Sequence, residues 1–128
     1  MKKNTKGFTL IELLAVIVIL AIIALIAVPV ILNILEKSRV SAAADTCYSV
    51  LNAAELYYAE ELLEHPTEAF VEQTLSVTDS KLQLKGNRPD SGSVKINANG
   101  SAQLSGEVKV GEVTCTQADA NSQVVCDV

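Results

Sequence analysis

One carboxylate and three thiols are the groups in this sequence whose positions suggest chemistry. Glu12 stands at the mouth of LLAVIVILAIIALIAVPVIL, the stretch from Leu13 to Leu32, which runs for 20 residues without a charge. A carboxylate drawn to the centre of a bilayer costs about 2.5–3.5 kcal/mol. At the edge of an apolar run it either reaches the headgroups or meets a positive partner. The thiols are Cys47, Cys115 and Cys126. If Asp119-Ala120-Asn121-Ser122 turns the chain, Cys115 falls opposite Cys126, at roughly the 4.5–5.5 Å between opposed strand residues that a disulfide also spans. Cys47 is then the odd cysteine and reads as a small buried apolar residue. A Cys47–Cys115 or Cys47–Cys126 bond is the alternative that this arrangement leaves open. The other polar residues assemble nothing comparable. His65 stands alone beside Pro66, and Asp119 and Asp127 are too few oxygen donors for calcium. The sequence contains no Ser/His/Asp set, phosphate loop or zinc-ligand spacing. The expectation is a protein that is not an enzyme and uses no cofactor or metal.

These groups need elements to hold them. At about 1.5 Å per residue, a 20-residue helix spans about 30 Å, the thickness of a bilayer's hydrocarbon core. The helix is expected to continue past that run. Val40, Ala44, Cys47, Leu51, Ala54, Tyr58 and Leu62 recur every three or four residues, one face of an amphipathic helix. Glu36, Asp45, Glu55, Glu60, Glu61 and Glu64 mostly occupy its other faces. Pro66 ends it, because the residue before a proline leaves the α region. The expected helix runs from about Phe8 to Glu64. A short second helix is expected from Thr67 to Leu75, with Thr67 as its cap. After Thr78 β-branched residues alternate with polar ones. Strands are expected near Leu82–Leu84, Ser93–Asn97, Ser101–Val110, Val113–Gln117 and Gln123–Val128. Asn99-Gly100 is a hairpin signal, and Gly106 and Gly111 suggest a bulge and a turn. The fold class is α+β: a long amino-terminal helix, apolar in its first half, with a small antiparallel sheet packed on its second half.

Composition narrows the partners. The chain has 128 residues and a net charge of −5, with Lys2, Lys3 and Lys6 among its 10 basic residues. The rest is more acidic still, which argues against nucleic acid as a main partner. Lys81, Lys85, Arg88 and Lys95 lie close in sequence and read as solvated surface. The leading lysines favour a cytoplasmic amino terminus and an outside carboxyl terminus. The apolar run exceeds the roughly 7–15 residues of a secretory signal core. The nearest small-residue cleavage pattern, Ala42-Ala43-Ala44, lies well beyond it.

Gly7-Phe8-Thr9-Leu10-Ile11-Glu12-Leu13-Leu14 resembles the signature of the type IV pilins and pseudopilins. The resemblance covers the first third to half of the chain. It implies a prepilin leader over residues 1–7, a hydrophobic transmembrane and assembly helix over residues 8–35, and a soluble head over residues 36–128: the pilin lollipop. It implies that a prepilin peptidase cuts between Gly7 and Phe8 and that Phe8 is N-methylated. It places Glu12, with Thr9 and Pro29, in assembly, where Glu12 meets the new ammonium group of a neighbouring copy. The helix of related filaments loosens near a proline in the position of Pro29. The implied protein is a structural filament subunit. It is held in the cytoplasmic membrane before assembly and lies on the cell surface after it. Its partners are further copies of itself, the peptidase, and an assembly platform with its ATPase. The alternatives are a pseudopilin of a type II secretion or DNA-uptake system, or a membrane-tethered binding domain that does not polymerise.

Overall fold

The computed structural model describes residue 7 and residues 9–128. One helix and five strands follow each other: α1 (Leu10–Glu64), β1 (Gln73–Ser76), β2 (Ser91–Ile96), β3 (Ala102–Val110), β4 (Val113–Thr116) and β5 (Val125–Asp127). The chain divides into two compact units, Met1–Glu36 and Lys37–Val128.

The described part of the first unit is almost entirely helix. Thr9 caps it, its hydroxyl accepting the Glu12 N–H at 3.2 Å while its carbonyl accepts the Leu13 N–H at 3.1 Å. Pro29 lies inside the helix. The side-chain pattern here is apolar on every face rather than amphipathic, as a helix surrounded by hydrocarbon or by like helices requires.

The second unit has an ordinary core. The remainder of α1 contributes Ala43, Cys47, Val50, Leu51, Ala53 and Ala54, recurring at three- and four-residue spacing. Three alanines on this face let the helix lie close to its neighbours. The strands add Leu75, Val94, Ile96, Ala102, Leu104, Val108, Val113 and Cys115, and the loops add Val77, Leu82 and Val124. Each fully buried Val, Leu or Ile contributes about 1.5–3 kcal/mol relative to exposure. Of the expected stripe, Cys47, Leu51 and Ala54 are buried and Val40 and Tyr58 pack against the core; the buried face also takes in Ala43, Val50 and Ala53, while Ala44 is only half-buried and Leu62 is exposed.

The sheet is an antiparallel meander in the order β1-β2-β3-β4-β5. Two expectations fail. No second helix forms from Thr67 to Leu75, and Thr67 caps nothing; Gln73–Ser76 instead pairs with β2, Leu75 opposite Val94. So short a helix is marginal alone, whereas pairing buries Leu75. Leu82–Leu84 is not a strand. Leu82 is fully buried, and its carbonyl accepts the Arg88 guanidinium at 2.8 Å instead of a ladder N–H. The same guanidinium donates to the carbonyls of Asp79 and Val77. The other expected strands form with ends shifted by a few residues.

Both hairpin signals hold. The β2–β3 loop closes with the Gly100 N–H donating to the Asn97 carbonyl at 3.0 Å, and Gly100 takes a φ of +93°. A type I turn followed by a left-handed residue needs glycine there. Val110 faces Val113 across the two-residue turn that contains Gly111. Opposite β2 the register slips: Ser93 pairs with Ser105 but Ser91 with Lys109. The surplus β3 residues bulge, and Gly106 lies among them. Gly92 sits under this bulge at a φ of +125°, where an added Cβ would fall 2.8 Å from the Val108 Cα.

Candidate functional site

Two places carry the groups singled out by sequence: the start of α1, and the turn that brings the cysteines together. At the first, the spacing Thr9-x-x-Glu12 does something that sequence reading missed. It is an N-cap: a hydroxyl before the first turn meets the N–H three residues on. Glu12 also carries its negative charge in the first turn, where the helix dipole favours it. Thr9 and Glu12 therefore start the helix in addition to any role between copies. Gly7 is exposed. The Phe8 position and the leader lysines lie outside the described residues.

Beyond Glu12 every Leu, Ile and Val as far as Leu35 is exposed, from Leu35 at 47% to Leu25 at 77%. The helix is long and apolar enough to cross a membrane. Soluble monomers seldom show contiguous apolar patches beyond a few hundred Å². This surface belongs against lipid or against other helices.

At the second place, β4 and β5 pair with Cys115 directly opposite Cys126, and the two form a disulfide. The turn that sets this register is built by Asp119. Its carboxylate accepts the Asn121 N–H at 2.8 Å and the Ser122 hydroxyl at 3.0 Å, and its carbonyl accepts the Ser122 N–H. The Ser122 hydroxyl above all, then the Asn121 N–H, holds the Asp119 carboxyl below its ordinary pKa. Two further side chains tie this loop to the unit. The Gln117 carboxamide accepts the Leu104 N–H at 2.9 Å and donates to the Ser122 carbonyl at 2.9 Å. The Tyr48 hydroxyl on α1 accepts the Val124 N–H at 3.1 Å. Neither role shows in local sequence, because the partners lie 13 and 76 residues away.

Cys47 is free and fully buried in the core. Burial pushes its thiol up to about 11. Its sulfur lies within 4.8 Å of those of Cys115 and Cys126.

The remaining candidates are structural or solvated. His65 is exposed and faces Glu68 at 4.0 Å. Lys95 pairs with Glu72 at 3.1 Å, and Arg88 serves the loop carbonyls described above.

The prokaryotic N-terminal methylation motif matches residues 2–28. This is the prepilin-type motif shared by type IV pilins and pseudopilins. No curated protein and no solved structure matches the chain.

Proposed function

We propose that this chain, whose amino terminus carries the prepilin-type motif of the type IV pilins and pseudopilins, is the structural subunit of a pilus-like surface filament. It is made as a precursor with residues 1–7 as leader, residues 8–35 as assembly helix and residues 36–128 as head. The Leu13–Leu32 stretch holds it in the cytoplasmic membrane, with its amino terminus inside. A prepilin peptidase cuts between Gly7 and Phe8, and Phe8 is methylated. An assembly platform and its ATPase then draw the mature chain into a polymer of further copies.

The supporting observation is the coupling of the motif to a helix half that leaves all its large apolar side chains exposed. Cleavage creates an ammonium group at Phe8 with a reference pKa of about 7.7–8.0. That group and Glu12 pair poorly along one straight helix but readily between staggered neighbours. In an apolar filament core each charge then meets its opposite, whereas an unpaired one is strongly unfavourable. Glu12 thereby sets the register of assembly, and apolar contact between helices supplies the cohesion.

Intact-mass and amino-terminal analysis of the protein from its native host, with shearing of surface material, tests this. The expected result is a chain beginning at a methylated Phe8 and present in the sheared fraction. A chain beginning at Met1, or at Asp45 after Ala42-Ala43-Ala44, overturns it. A processed chain that never leaves the membrane fraction supports a pseudopilin instead.

A further inference from the structure

We propose that Cys47 is the internal nucleophile of a thiol–disulfide exchange that moves the crosslink from Cys115–Cys126 to Cys47–Cys115 and releases Cys126 as a modifiable thiol. The basis is placement. Three sulfurs, from α1, β4 and β5, lie within 4.8 Å of one another, one of them free and two bonded. Exchange proceeds by attack of a thiolate on a disulfide sulfur, and here nucleophile and target already share one core.

The step balances without an outside oxidant or reductant. The Cys47 thiolate attacks the Cys115 sulfur, a Cys47–Cys115 bond forms, and the Cys115–Cys126 bond breaks. Cys126 leaves with the electron pair and takes up the proton that Cys47 lost. Burial decides the direction. Cys115 is fully buried, whereas Cys126 is only partly buried on the edge strand β5. The Cys126 thiolate is the better solvated of the two and hence the better leaving group. The new bond joins α1 to β4 covalently, across 68 residues instead of 11, and leaves a thiol at the rim of the sheet where an alkylating agent or another chain reaches it.

The same burial keeps the exchange slow. The core around Cys47 contains no charged side chain; its titratable members besides the cysteines are Tyr57 and Tyr58, on the same helix. With the thiol pushed up to about 11, its reactive form grows about tenfold per pH unit below that value.

Iodoacetamide reads the outcome on the full-length protein, folded in detergent. After incubation at pH 7, 8 and 9, unreduced peptide mapping should find the adduct on Cys126 and a Cys47–Cys115 crosslinked peptide. The rate should be independent of protein concentration and rise about 100-fold from pH 7 to pH 9. The Cys47→Ala variant, which keeps a small apolar group in the core, should give no adduct. An adduct on Cys47 with Cys115–Cys126 intact overturns the proposal. So does recovery of Cys47 as the free thiol at every pH, or labelling of Cys126 in Cys47→Ala at the rate of the parent.

Discussion

At the residue scale single charges matter most. If Glu12 pairs with the Phe8 ammonium of a neighbour, Glu12→Gln leaves that ammonium without its carboxylate in an apolar filament core. Removing one partner of a buried pair costs about 3–5 kcal/mol. Membrane insertion and cleavage after Gly7 should persist, because Leu13–Leu32 and the scissile bond are untouched. The expected outcome is a large fall in the ratio of sheared filament to membrane-held mature subunit, measured in cells expressing the variant alone. Unchanged filament yield would return Glu12 to the roles visible within one chain, helix start and interface. Asp119 offers a second test. Its carboxyl is held below the ordinary value by Ser122 and then Asn121. A depressed carboxylate contributes stability above its unfolded pKa and loses it as pH falls through the folded one. Asp119→Asn should therefore be less stable than the parent at pH 7, and the difference should close in acid. Urea midpoints for the two proteins across that range check it.

At the element scale, the β2–β3 bulge is the tightest constraint in the sheet. Gly92 combines a φ of +125° with Val108 backbone at 2.8 Å from any added Cβ. Backbone cannot rotate away as a side-chain tip can. Gly92→Ala should destabilise the second unit by about 1–3 kcal/mol from overpacking alone, with further strain from the left-handed φ. Denaturant unfolding measures it, and a change under 0.5 kcal/mol, roughly that of an ordinary surface substitution, would show that the bulge relaxes freely. Reduction of Cys115–Cys126 is a separate element-scale test. Opening so short a loop should lower stability by about 2–3 kcal/mol if the bond acts through chain entropy, and thermal unfolding with and without reductant reads it.

At the scale of the whole molecule, the buried core begins at Ala43 and lies entirely within Lys37–Val128. A chain starting at Lys37 should consequently fold in water without detergent, with far-ultraviolet dichroism showing both helix and sheet. The full-length protein should need detergent or lipid, because residues 10–35 carry exposed Leu, Ile and Val on every face. Aggregation of the Lys37 chain under conditions where the full-length protein is folded would mean that the first unit helps to fold the second.

Much of this protein was legible in sequence because its signals are local or strictly periodic. The uncharged run fixes helix and exposure from Leu13 to Leu35, since hydrocarbon leaves no polar partner outside the helix for backbone groups. The Asn99-Gly100 and Gly111 turns, and the opposition of Cys115 to Cys126, follow from short-range backbone geometry. Tertiary structure decided the rest where local and distant contacts compete. Gln73–Ser76 became an edge strand because β2 offers a ladder and a core site for Leu75, which an isolated turn of helix cannot match. Leu82 lost its strand because Arg88, six residues on, satisfies its carbonyl. The Cys47 thiol lies beside the disulfide only because α1 and the sheet share one core. The helix stripe turns Cys47 toward the sheet, but which sulfurs it meets there arises from packing between segments 68 or more residues apart.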